Sequence, residues 1–297
     1  MENDRLAQRF EENRSRLRAV AYRMLGSMNE AEDAVQEAWL RLSRSDANSI
    51  ESIEAWLTTV VAHVCLDILR ARKSRREVTV EEHGSMSVEN PPASTDPERE
   101  ALLADSVGLA LLVVLDRLNP AERLAFVLHD MFAVGFDEIA SIVGRSPAAV
   151  RQLASRARRR VQGGTTFTSG NVHEQRGIVD SFLSALRAGD FEGLMNVLDP
   201  DVLVHIDAAS ARPGPPREIH GAGNWARGAI AFSRGAGPVQ NIQPALIDGR
   251  VGLVWAPAGR LSRVLRFAFK GGKITEVDII ADPGSLGSLD LAVLPNA

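Results

Sequence analysis

The densest chemistry in the sequence lies between residues 146 and 160, where Ser146, Ala148, Arg151, Gln152, Ser155, Arg156, Arg158, Arg159 and Arg160 occupy one helix-like segment. An arginine presents a planar fork of N–H donors that can grip a guanine edge or a phosphate, and a glutamine amide can do the same for adenine. Arg151 and Gln152 are the candidates for base edges, whereas Arg158, Arg159 and Arg160 suit phosphates or a protein surface. Ser146 suits a backbone or phosphate bond at the start of the helix. A second basic cluster, Arg70, Arg72, Lys73, Arg75 and Arg76, ends a segment that also carries Trp56 and His63. Trp56 is the one aromatic of that segment, so stacking on it would be sparse. His63 is either a neutral hydrogen-bonding group or an ordinary surface residue. Glu30, Asp33, Glu37 and Arg41 fall on one helix face, which is either a solvated charged stripe or a functional surface. His205 and Asp207 share one face of a strand candidate, a pairing suited to acid–base work or simply to solvent.

The elements that must position these groups are legible around the first of them. FDEIASIV is a short amphipathic helix closed by Gly144, and Ser146-Pro147 opens a second helix, AAVRQLASRARRRV, with serine at the N-cap and proline in the first turn. Two helices joined by a tight turn, the second basic, are the layout of a helix-turn-helix DNA reader. Upstream, Val35, Ala38, Trp39 and Leu42 form one face of a helix, and Leu57, Val61, Val64 and Ile68 form the core face of the next.

The chain of 297 residues carries a net charge of −4. A DNA binder acting alone is expected to be basic, so clustered cations on an acidic chain point to a protein that reaches DNA within a larger assembly. One cysteine, Cys65, excludes an intrachain disulfide, fits a reducing cytoplasm and reads as a small core residue. The charged N-terminus MENDRLAQRF lacks a signal-peptide core, and no run reaches the length of a membrane span. The expectation is a cytoplasmic protein with no membrane partner. No His/Cys/Asp spacing suits a metal and no glycine loop suits a phosphate, so no cofactor is expected.

Composition divides the chain. Residues 5–76 read as helical. Residues 77–97 form an acidic, proline-containing linker with Glu77, Glu81, Glu82, Glu89 and Asp96. Residues 98–162 are helical and end in the helix-turn-helix, 163–171 are a second linker, and 172–297 are α+β. In the last part, two helices precede the strand DVLVHID, a helix follows around Asn224 to Phe232, and strands follow at 240–247, 250–255, 264–269 and 274–280. Asp248-Gly249 and Gly271-Gly272 mark hairpin turns.

Three pieces in order, AYRMLGSMNEAEDAVQEAWLRL, AWLTTVVAHVCLDILRARKSRRE and LNPAERLAFVLHDMFAVGFDEIASIVGRSPAAVRQLASRARRRV, resemble an extracytoplasmic function (ECF) sigma factor of bacterial RNA polymerase over about residues 8–162. The resemblance implies two all-α domains, sigma region 2 at 5–76 and region 4 at 98–162. It implies that Asp33, Gln36, Glu37 and Trp39 dock on the β′ subunit of the polymerase core, with Trp39 adding apolar area or serving only the domain core. It implies that the loop from Ser43 to Ile53 and the helix with Trp56, His63, Arg70, Arg72, Lys73, Arg75 and Arg76 read and melt the −10 element. Ser146, Ala148, Arg151, Gln152, Ser155, Arg156, Arg158 and Arg159 then face the −35 element. The acidic linker would thread the basic channels of the core, which the β and β′ subunits form.

GIVDSFLSALRAGDFEGLMNVLDPDVLVHIDA and IHGAGNWARG resemble the SnoaL-like branch of the NTF2-like fold, which implies a curved antiparallel sheet around helices and a central cavity. Where a larger subgroup with this domain pairing carries a DGGG-type motif and a Trp-Pro linker motif, this chain reads DAASARPGPP and EVTVEEHGSM. The expected role of the domain is regulatory, through a small-molecule or protein signal, with the tail SLGSLDLAVL as an apolar docking strip. Two rival readings stand beside the sigma factor: a ligand-responsive helix-turn-helix regulator, and an NTF2-like isomerase or hydrolase with Asp207 as its base.

Overall fold

The structure, a computed structural model, describes residues 2–45, 50–82, 108–163, 169–210, 215–235 and 241–294. Glu89, Asp96, the middle of the 43–53 loop and residues 164–168 of the second linker lie outside the described residues. The described residues fall into two compact units. Residues up to 82 group with Leu115–Arg158, and residues 108–114 group with those from 159 onward.

The first unit begins with α1 (Glu2–Leu25), α2 (Met28–Leu42) and α3 (Ile53–Glu82). Gly26 and the N-cap Ser27 separate the first two. Helix α3 runs beyond the expected end at residue 76. The added residues, EVTVEE, contain three glutamates that favour a helix and three β-branched residues that favour it less, and the first proline comes only at Pro91. Leu57 and Val61 are buried as expected, but Val64 and Ile68 are only half-buried. Val60, Cys65, Leu66 and Leu69 take their places, because α3 packs against α1, α2 and the next domain together.

The second helical domain contains α4 (Leu109–Asp116), α5 (Pro120–Phe126), a π-helical turn (Val127–Met131), α6 (Phe136–Val143) and α7 (Pro147–Gln162). Asn119 caps α5, accepting from the Glu122 N–H at 2.9 Å. Arg123 of α5 is 2% exposed. It donates to Asp116 at 3.3 Å and from Nε to the Arg23 carbonyl of α1 at 3.1 Å, so the two helical domains share a buried cation. Arg23 in turn stacks on Phe132, 5.2 Å from the ring centroid.

The second unit carries α8 (Ser169–Ala188), α9 (Phe191–Val197), β1 (Leu198–Ile206), β2 (Arg217–His220), α10 (Ala222–Gly235), β3 (Ile242–Ile247), β4 (Arg250–Trp255), β5 (Arg263–Lys270), β6 (Lys273–Ile280), α11 (Pro283–Ser288) and β7 (Leu291–Ala292). The seven strands form one sheet in the order β2-β1-β6-β5-β4-β3-β7. The sheet is mixed rather than antiparallel, because β1 runs parallel to β6. After β1–β2, the chain crosses through α10 and then zigzags through β3 to β6, which brings β6 beside β1 in the same direction. Both expected turns are hairpins with positive φ at each central residue: 49° and 82° at Asp248-Gly249, 58° and 74° at Gly271-Gly272. Phe182 of α8 stacks on Trp225 of α10 at 5.2 Å, and Phe267 of β5 meets Phe182 edge-on, which fixes the helices on the inner face of the sheet.

The tail does not form the expected docking strip. Leu286, Leu289, Leu291 and Leu294 are buried in this unit, and β7 pairs with β3. The Val293 N–H also donates to the Val161 carbonyl at 2.8 Å, and the Ala110 N–H to the Gln243 side chain at 3.3 Å.

Candidate nucleic-acid interface

The helix-turn-helix is built by local signals. Gly144 takes φ 69°, the left-handed conformation that ends α6, and the N–H groups of Gly144 and Arg145 both bond the Ala140 carbonyl. Ser146 Oγ then accepts from the Ala149 N–H at 3.3 Å, so this serine caps α7. Val150, Leu153, Ala154 and Ala157 bury one side of α7. The opposite side exposes Ala148, Arg151, Gln152, Ser155, Arg156 and Arg159 together. The Arg151 guanidinium lies over the Phe136 ring, 5.5 Å from its centroid, and Phe136 stacks on His129 at 3.8 Å. Arg158 differs from its neighbours: it pairs with Asp130 of the π-helical turn and braces α7 inside the domain. Phe136 and Asp130 were not legible as parts of this surface, because neither belongs to the basic helix.

On α3, Arg70, Lys73 and Arg75 are exposed, while Trp56 and His63 are half-buried. The His63 ring bonds the Thr59 carbonyl at 3.0 Å, one turn back on its own helix. Arg72 points inward, contrary to expectation: it donates to the Leu25 carbonyl at 3.1 Å and pairs with Glu30, joining α3 to the α1–α2 corner. The Arg76 side chain lies outside the described residues.

On α2, Asp33 and Gln36 are exposed, and Glu37 is bridged by Arg41 at 2.8 Å. Trp39 packs on Phe10 of α1 with ring centroids 5.0 Å apart, yet it also borders an open groove with Gln36. It therefore serves the core and the surface at once. Leu40, 39% exposed, was missed. Its signal was its place seven residues after Asp33, which puts it on the same helix face as Asp33, Gln36 and Glu37.

In the C-terminal unit the acid–base pair separates. The Asp207 carboxylate accepts from the backbone N–H groups of Ser210 at 2.6 Å, Ala281 at 2.6 Å and Asp282 at 2.8 Å. Burial pushes its pKa up, but these hydrogen bonds outweigh it and hold the carboxyl below its ordinary value. Such a group ties loops together and is a poor base. His205 instead contacts Glu276 at 3.2 Å and Glu218 at 3.5 Å across the sheet surface. His205, Glu276 and Asp278 come close enough to share a cation. Arg266, however, already holds Asp278 at 2.8 Å.

A basic recognition helix and a further three-helix domain, joined through one chain, are the parts of a DNA-binding transcription factor. The family model of Sigma-70 region 2 matches residues 9–75, and that of Sigma-70 region 4 matches residues 108–161. Over 286 residues the chain is 36% identical to the ECF RNA polymerase sigma factor SigJ of Mycobacterium tuberculosis, covering 92% of this chain and 91% of that protein. It is 34% identical over 300 residues to the probable ECF RNA polymerase sigma factor SigI of the same species, covering 97% of each. The crystal structure of M. tuberculosis SigJ aligns over 95% of this chain and 99% of that one, with 33% identity and a TM-score of 0.46. The chain belongs to the ECF RNA polymerase sigma factors. Among the described residues, no helix is long and apolar enough to cross a membrane.

Proposed function

We propose that this ECF sigma factor recruits core polymerase through α2, melts the −10 element with the 43–53 loop and α3, and reads the −35 element with the N-terminal half of α7. The supporting observation is the division of α7, which buries Val150, Leu153, Ala154, Ala157 and Val161 and leaves Arg151, Gln152, Ser155 and Arg156 exposed on one side. Helix N-termini of this type enter the major groove, where bidentate side chains discriminate bases. Phe136 holds the Arg151 fork in place before DNA arrives. Arg70, Lys73 and Arg75 supply phosphate contacts, while Arg72 and Arg158 act as internal braces. The face formed by Asp33, Gln36, Glu37 and Leu40, with Trp39 beside it, meets the β′ subunit. The chain works in the cytoplasm, where the polymerase is.

The C-terminal domain modulates initiation and has no reaction of its own, since Asp207, its candidate base, is committed to backbone amides. In transcription with purified core enzyme, Arg151→Ala is expected to lower output from the cognate promoter about 5–150-fold, a loss of roughly 1–3 kcal/mol, and to relax the preference at one −35 position. A uniform loss across all −35 sequences would make Arg151 a phosphate contact. Removing residues 171–297 is expected to change the level of transcription; an unchanged level would remove the modulatory role.

A further inference from the structure

The C-terminal domain contains a cavity of about 240 Å³ between α8, α10 and the inner face of the sheet. Its wall is apolar and aromatic, with Trp225 and Phe232 from α10 and Trp255 from β4. The charged residue among those lining it is Arg263, at the start of β5. Its guanidinium carbon lies 5.0 Å from the Phe232 ring centroid and 5.2 Å from that of Trp255. Arg263 Nε is buried and has no hydrogen-bond partner among the described residues. Asp207 is the carboxylate whose charge reaches Arg263, but its oxygens are taken by three backbone N–H groups, and the two make no ion pair.

A guanidinium withdrawn from water without an anion is costly to keep, and cation–π contacts offset only part of that cost. They do, however, fix the fork, and its Nε–H stays without a partner among the described residues. A neutral apolar guest would leave the cation unanswered. A nucleotide or other polyanion would find no second cation among the described residues that line the cavity, which is below the roughly 300–1,000 Å³ of common ligand pockets. A carboxylate matches the fork in shape and charge.

We propose that this cavity binds a small apolar monocarboxylate, with its carboxylate on Arg263 and its ring or chain against Trp225, Trp255 and Phe232. Binding itself is independent of the modulatory reading above; only its consequence for transcription rests on that reading.

The full-length chain, titrated at neutral pH with benzoate, phenylacetate and octanoate and with the matching amides, tests this by calorimetry and tryptophan fluorescence. At least one carboxylate is expected to bind tenfold or more tighter than its amide. Arg263→Gln is expected to remove that preference and leave amide binding within about twofold. Gly228 lines the cavity, and a side chain there meets open space, so Gly228→Leu fits the backbone while filling the site and should abolish both. The proposal is overturned if no carboxylate outbinds its amide, if Arg263→Gln leaves the preference intact, or if Gly228→Leu still binds. A transcription arm separates the two readings: binding without any change in transcript level removes the modulatory role and leaves the site standing.

Discussion

Arg123 and Arg263 sit in different units of the molecule, and both are drawn out of water, but their company differs. Arg123 is sealed in the helical unit with a carboxylate at 3.3 Å and a carbonyl at 3.1 Å. Arg263 is half-buried among aromatic rings, and its Nε bonds nothing among the described residues. Burial lowers the pKa of both; only Arg123 has an ion-paired carboxylate working against it. A buried cation whose donors are matched holds helices in one arrangement, because removing it leaves the Arg23 carbonyl of the neighbouring helix without its donor. A cation left to aromatic faces contributes little to the fold and is available to a guest.

The contrast breaks most visibly on truncation. Arg123→Ala should cost about 1–3 kcal/mol, because the exposed Asp116 turns to water and the Arg23 carbonyl is the group left without its donor, seen as a drop in the unfolding midpoint of the helical unit by calorimetry. A loss under about 1 kcal/mol would rank Arg123 with exposed pairs and erase the distinction. Arg263→Leu carries the opposite sign: it should leave stability unchanged or raise it by about 1–2 kcal/mol, since an apolar residue replaces an unpaired cation. A clear loss in urea denaturation would make Arg263 a second brace.

The smallest effect sharpens the comparison through Asp207, whose folded pKa lies below its unfolded value of about 3.9. With that sign, its contribution is full above about pH 4 and fades as pH falls through the folded value. The stability gap between the wild type and Asp207→Asn should therefore be present at pH 7 and shrink in acid. A gap that stays constant down to pH 2 would mean that the three backbone bonds do not set the titration.

Local features were readable in the sequence. Gly144, Ser146 and Pro147 fixed the helix-turn-helix, and Asp248-Gly249 fixed a hairpin, because each acts within a few residues of itself. Partner choice was not readable. Strand periodicity places Val204 and Val277 on one face, but it does not say that β1 and β6 lie side by side in parallel. The leucines of the tail look the same whether they cover their own sheet or another protein. The two-residue β7 and the four-residue β2 are too short to announce themselves. For the site, exposure was legible on α7 from its period, whereas Arg72 and Arg158 turned out to be braces because Glu30 and Asp130 arrive from other elements.

Cys65 lies fully buried on α3 within the field of Arg123, and burial pushes its thiol up to about 12. At neutral pH the reactive thiolate fraction is then on the order of 10⁻⁵, so alkylation waits on the parting of the helices above it. Being the sole sulfhydryl in the chain, it is a built-in stopwatch: iodoacetamide uptake, timed with and without core enzyme, clocks how often the helical unit unlatches, with no label engineered in.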